Sequence, residues 1–138
     1  MSVTSTAVVR THRDLDVYWK AMALVEKVFA LTEAFPNWEN FGLRSQISRA
    51  AVSVPANIAE GAGRATSREF AHFLSTARAS LMEMDSHLEV ATRLNYINRE
   101  AADETYRQIT DVAKMIAKLR SAVLRRNRSN HEPLTTNH

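Results

Sequence analysis

Leu43 to Ala62 reads as a helix with almost no solvated face, and this constrains the fold more than any other feature of the chain. Only Arg44, Arg49 and Glu60 are charged within it. Leu43, Ile47, Ala50, Ala51, Val54 and Ile58 fall on one face at three- and four-residue spacing. A surface helix normally carries a charged stripe opposite that face. Here the opposite positions hold Ser45, Ser48, Val52, Ala56 and Ala59. Such a helix must be packed on most sides, by its own domain or by neighbouring copies. Pro55 lies inside the pattern and is expected to bend it, because proline lacks the backbone donor.

The remainder of the 138 residues repeats the helical theme. A first helix is expected from Asp14 or Asp16 to just before Pro36. Leu15, Tyr18, Met22, Val25 and Phe29 form one apolar stripe on it, and Val17, Ala21, Leu24, Val28, Leu31 and Phe35 a second. Together they cover about half the helix, against roughly 100° for a single core contact. Thr66-Ser67-Arg68-Glu69 matches a capping box and starts a third helix. Its apolar face is Phe70, Phe73, Leu74, Ala77, Leu81, Met84, Leu88 and Ala91, with Asn95 as the stop. Asn98 caps a fourth helix, on which Ala102, Tyr106, Ile109, Ala113, Ile116 and Val123 follow the same spacing.

Three glycines and three prolines leave little material for the turns of a β fold. The expected architecture is an all-α, antiparallel up-down-up-down four-helix bundle in one domain. Residues 1–13 are expected to form a flexible N-terminal arm, 14–127 the bundle and 128–138 a flexible tail. Periodicity is already lost from Arg125 onward, which predicts fraying there. No cysteine is present, so thiol chemistry is excluded. The longest apolar runs fall far short of the ~20 residues that span a bilayer, and no membrane partner is expected. The first residues lack a basic region followed by an apolar segment, so the expected location is cytoplasmic. A formal charge of +3 permits an anionic partner without requiring one.

Motifs for catalysis are weak. Gly61-Ala62-Gly63 precedes a helix N-terminus but lacks the strand and the Lys-Ser/Thr pair of a phosphate-binding loop. His12, His131 and His138 are near the termini, and His72 and His87 are fifteen residues apart without a second ligand at helical spacing. Glu83/Asp85 and Asp103/Glu104 point their members in different directions. The reading is therefore no catalytic, cofactor or metal site, and no enzyme. Two polar sets stand out instead. Gln46, Arg49, Ser53, Asn57 and Glu60 form a stripe beside the apolar face of the second helix, and Arg64 continues it past the glycines. Amide, guanidinium, hydroxyl and carboxylate can satisfy one another, so the stripe is expected to be a hydrogen-bonded structural or interface seam, the competing reading being a ligand or RNA surface. Lys114, Lys118, Arg120, Arg125, Arg126 and Arg128 form a basic set without interleaved aromatics. The set is expected to be a solvated helix face, with RNA phosphate contact as the alternative; base stacking is not indicated.

Phe41-Gly42-Leu43, Gln46-Ile47, Arg49-Ala50-Ala51, Ser53-Val54-Pro55, Asn57-Ile58-Ala59-Glu60-Gly61, Gly63-Arg64, Glu69-Phe70 and Phe73-Leu74 carry a family resemblance. Together with Leu15-Asp16-Val17, Phe35-Pro36, Ala77, Ser80-Leu81 and Glu83, they resemble the proteins encoded in 23S ribosomal RNA intervening sequences, also called the S23 ribosomal protein family. The resemblance covers roughly residues 13 to 124. It implies a four-helix bundle, often a ring-like homopentamer, with no established enzymatic activity. A similar bundle accompanies the reverse transcriptase of diversity-generating retroelements as an RNA-associated factor. Carried onto this chain, the motif falls on Gln46, Arg49, Asn57, Glu60, Arg64 and Glu83, which makes Glu83 a candidate partner for Arg49. Ala79 stands where the family usually has Gly, and Met84-Asp85 where Leu-Glu is common.

The expected function is a non-enzymatic oligomeric scaffold, a homopentamer that meets RNA or a nucleic-acid-processing protein. Where RNA is met, phosphate contacts are expected from Lys118, Arg120, Arg125, Arg126 and Arg128. The alternative is a small-molecule or peptide binder using a pocket between subunits.

Overall fold

The computed structural model describes residues 10–130, with side chains through residue 126. Four helices follow in order: α1 (Asp16–Thr32), α2 (Leu43–Ala62), α3 (Ser67–Arg93) and α4 (Arg99–Asn130), and the described residues include no strand. Each packs on two neighbours: α1 on α2, α2 on α3, α3 on α4, and α4 back on α1. The diagonal pairs do not meet. This is the expected up-down-up-down bundle.

The helix boundaries follow local chemistry. A 3-10 turn over His12–Asp14 precedes α1. Thr11 caps this turn by accepting from the Arg13 amide, while the Asp14 carboxylate accepts from the amides of Arg10 and Thr11. Those amide bonds lower the Asp14 pKa. At the start of α3, Thr66 Oγ accepts from the Glu69 amide at 3.1 Å, so half of the expected capping box forms. Asn95 adopts φ 65°, with the Tyr96 amide on the Ala91 carbonyl and the Asn95 amide on that of Thr92. This Schellman closure ends α3 at the residue expected to stop it. Asn98 Oδ1 then accepts from the Ala101 amide and caps α4.

α2 runs without interruption through a buried Pro55. One expectation changes. The fourth helix continues to Asn130, past Arg125, where loss of apolar periodicity predicted fraying. Helical backbone needs no apolar stripe when arginine and asparagine propensities permit it and the preceding turns supply a nucleus. The arm and tail at 1–9 and 131–138 lie outside the described residues, as do His131 and His138.

Leu24, Ile47, Ile58, Leu74, Leu81, Met84, Leu88, Ile109 and Ile116 are the deep core. On α1, of the second stripe Val17, Ala21, Leu24, Val28 and Phe35 are buried and Leu31 is half-buried; of the first, Leu15 and Tyr18 are buried, Met22 and Val25 half-buried and Phe29 46% exposed. On α4 the core also takes Thr105, Val112 and Leu119, which the sequence reading did not select.

Candidate functional site

The polar stripe on α2 divides in two. Its inner members are satisfied across the α2/α3 seam. Ser53 Oγ lies 2.8 Å from Ser80 Oγ, and Asn57 Nδ2 donates at 2.9 Å to both the carbonyl and the hydroxyl of Ser53. Two serines opposed at this distance bring the helices close. Gly61 brings them closer still, since a Cβ there would sit 2.8 Å from Phe73 Cβ and 3.2 Å from the Phe70 carbonyl. The glycine therefore serves a helix crossing.

The outer members behave differently. Glu60 pairs with Arg64 one turn on, at 2.5 Å. Arg64 also lies over the Phe73 ring, 4.7 Å from its centroid. The Gln46 and Arg49 side chains are exposed and make no hydrogen bond or ion pair within the described residues. Within the chain Glu83 does not pair with Arg49: it turns along its own helix toward His87, whose Nε2 is 3.6 Å away. Both Arg49 and Glu83 point out of the seam into water, so nothing forces them together. Ser80, the true partner across the seam, was missed because its role depends on the facing register.

The basic residues gather at one end. Antiparallel packing brings the start of α1, the end of α2, the start of α3 and the end of α4 to the same pole. The Arg120 guanidinium reaches across and donates from Nε to the Ala71 carbonyl at 3.2 Å. This fixes the register of α4 on α3 and commits one member of the expected RNA set to a structural bond. Arg125 lies five residues further, about 7.5 Å along the axis, level with the α2–α3 loop. Arg125 and Arg126 are exposed there, with Arg64 and Arg68 on the loop side; Lys118 is exposed about two turns earlier on α4. Arg128 is on α4, its side chain outside the described residues. Arg13 adds a charge from the turn before α1, stacked 5.4 Å from the Trp19 ring centroid. Sequence reasoning left out Arg13 and Arg68; the antiparallel order of the four helices was the signal that could have placed them.

The opposite pole is built from bonded carboxylates. Glu89 accepts from Tyr106 Oη at 2.6 Å and from Arg93 and Arg99. These bonds, Tyr106 first, hold its pKa down at about 2, and burial together with Glu89 pushes the Tyr106 phenol up. Glu39 accepts from the Leu43 amide and from Tyr96 Oη, and its pKa is lowered in that order of cause.

Between the poles, an open depression of about 320 Å³ lies along the α3/α4 seam. It is lined by Arg78, Met82 and Asp85 of α3 and by Ile109, Thr110, Ala113, Lys114 and Ala117 of α4. No group of three or more His, Asp or Glu among the described residues could hold a metal. No helix of these residues is long and apolar enough to cross a membrane.

Short loops, a ring of four antiparallel helices and a polar α2/α3 seam define a small all-α bundle protein. More particularly, the chain belongs to the family of 23S rRNA-intervening sequence proteins, whose model matches residues 13–118. A crystal structure of a protein with unknown function from the S23 ribosomal protein family of Bacteroides thetaiotaomicron has a similar fold, with a TM-score of 0.70 and 25% identity. That likeness covers 75% of this chain and 97% of the other. No curated protein matches the chain.

Proposed function

We propose that this protein is a non-enzymatic scaffold that assembles with copies of itself and meets RNA phosphates through its basic pole. The observation that carries this reading is the collection of arginines from four separate segments at one end. A cluster of solvated guanidinium groups favours phosphate, and contacts of that kind are weakly sequence-specific and sensitive to salt. The family's description supports an association with ribosomal RNA genes, and the reading stands on the charge geometry as well.

Self-assembly rests on a second surface. Helical phase puts Met22, Val25 and Phe29 on one face of α1, and Ser45, Ser48, Val52, Ala56 and Ala59 on one face of α2. Phe29 and Val52 are 46% and 47% exposed, with Glu26 and Arg49 at the edges of these faces. Contiguous apolar surface of this sort marks an interface. A ring of five copies would bring five basic poles onto one rim.

Filter retention of structured and single-stranded RNA, read across a salt series, tests the phosphate reading. Replacing Arg64, Arg68, Arg125, Arg126 and Arg128 by alanine should weaken retention alike for all RNA sequences and flatten the salt slope. No retention by the wild type at low salt would overturn it. Light scattering should give several times the 15.5 kDa chain mass, and a monomer would sink the scaffold reading.

A further inference from the structure

The α3/α4 groove holds unbonded charge of both signs beside apolar side chains. Two bonds set the register of its helices: Arg120 Nε to the Ala71 carbonyl and Tyr106 Oη to Glu89. Arg78 is therefore level with Lys114, and Asp85 with Ile109. The seven residues from Arg78 to Asp85 put about 10 Å between a cationic end and an anionic end. Arg78 and Lys114 are exposed, and neither makes an ion pair or hydrogen bond among the described residues. Asp85 is half-buried and equally unbonded there. Burial, then the charge of Glu89, raises its pKa. Its own chain gives this carboxylate neither a donor nor a cation, which is the mark of a group kept for a ligand.

The charge along the groove does not cancel toward the arginine pole. Lys118 and Arg125 follow Lys114 at four and eleven residues on one outward face of α4. No Asp or Glu follows Asp111 in α4, and none lies between Glu69 and Glu83 in α3. A row of cations about 16 Å long thus leads from the pole into the groove. The groove also lies across the bundle from the α1 and α2 faces on which self-assembly rests.

A nucleotide matches this arrangement end to end. Its phosphate suits Arg78 and Lys114, its base the apolar side chains of Met82, Ile109 and Ala113, and an amino group on the far edge of that base suits Asp85. The volume of about 320 Å³ is at the lower end of ligand clefts, enough for one such unit. Pairing would hide the base edge, so the base must come from an unpaired strand.

We propose that the α3/α4 groove is a nucleotide subsite for single-stranded RNA, with a phosphate on Arg78 and Lys114 and an amino-bearing base against Asp85. This rests on the phosphate reading of the arginine pole and deepens it. The pole holds the strand without regard to sequence, and Asp85 adds a preference against uracil.

The test measures binding of the full chain, at one low salt concentration, to 12-residue oligocytidylate, to oligouridylate and to a duplex RNA of the same length. Cytosine carries an amino group where uracil carries a carbonyl. Oligocytidylate should bind about fivefold more tightly than oligouridylate, the worth of one hydrogen bond. Asp85→Ala should abolish that preference and melt no lower than the wild type. Arg78→Ala with Lys114→Ala should weaken both oligomers about tenfold and leave the melting temperature and duplex binding unchanged. If RNA is retained without preference between the oligomers, or if all these substitutions are without effect, the groove proposal is overturned and the phosphate reading of the pole stands. If no RNA is retained, both are overturned. Cytidine monophosphate that competes equally at matched nucleotide concentration would overturn the strand in favour of a free nucleotide.

Discussion

The two poles of the bundle close the same kind of antiparallel turn with different chemistry. At the arginine pole, α2 and α3 are joined by steric fit: Gly61 lies against Phe70 and Phe73, and the ions around it remain largely solvated. At the other pole the connections are tied by charge-assisted hydrogen bonds, Glu39 with Tyr96 and Glu89 with Tyr106 and two arginines. Ions spent on structure are not available for ligands. What remains solvated is therefore charge at the first pole and, at Trp38 and Phe41, apolar area at the second.

The largest effect should come from breaking the steric closure. Gly61→Ala adds a methyl that meets Phe73 Cβ at 2.8 Å, a contact that backbone must move to relieve. Overpacking of this kind costs about 1–3 kcal/mol. The gain in helix propensity returns at most about 1 kcal/mol. Thermal unfolding should show a net loss of up to about 2 kcal/mol. Gly63→Ala is the control: its added Cβ meets nothing closer than 3.7 Å, and stability should hold within about 0.5 kcal/mol. Equal effects at both positions would remove the steric account.

Much of this contrast was legible in the sequence and part was not. Helix limits were readable because caps act over three or four residues: Thr66, Asn95 and Asn98 all act where their chemistry places them. The bundle followed from apolar spacing, which is also local. Gly61 and Gly63 both fall where α2 ends, yet the sequence could not distinguish Gly61, buried inside the helix, from Gly63, its cap. That distinction needs the facing residues of α3. For the same reason the polar stripe was expected to act as one unit. Ser53 and Asn57 turn inward onto Ser80, whereas Gln46 and Arg49, a turn away, turn out to water. Phe41 and Trp38 were invisible as a surface because apolar residues beside a helix are ordinarily core.

Acid should act on the hydrogen-bonded pole first. Glu89 is lowered from an ordinary value of 4.5 to about 2, so it binds fewer protons folded than unfolded. Its contribution to stability is complete above pH 4.5 and disappears as the pH falls toward 2. Tyr106→Phe removes the largest cause of that depression. The melting temperature of the variant should be a few degrees lower at pH 7, and the difference from wild type should shrink between pH 4.5 and 2. A difference that stays constant across this window would show that the bond does not depend on the Glu89 charge.

The smallest effect on the folded chain is expected at Arg49, midway between the poles. The sequence motif suggested a bonded pair, whose loss would strand a buried charge at a cost of about 3–5 kcal/mol. Arg49 is instead exposed, and Glu83 is engaged with His87. Removal of an exposed, unpaired arginine changes stability by no more than about 0.5 kcal/mol. Arg49→Ala should therefore unfold with the wild type at concentrations where the chain is monomeric. It can matter only where a neighbouring copy supplies the carboxylate that its own chain does not. Sedimentation of Arg49→Ala, Glu83→Ala and the charge-swapped double variant Arg49→Glu/Glu83→Arg separates the cases. If the pair forms between copies, each single variant should dissociate at lower concentration and the swap should restore assembly. If all three sediment as the wild type does, Arg49 takes no part in assembly. A clear stability loss in the monomer would instead show that Arg49 has a partner within its own chain.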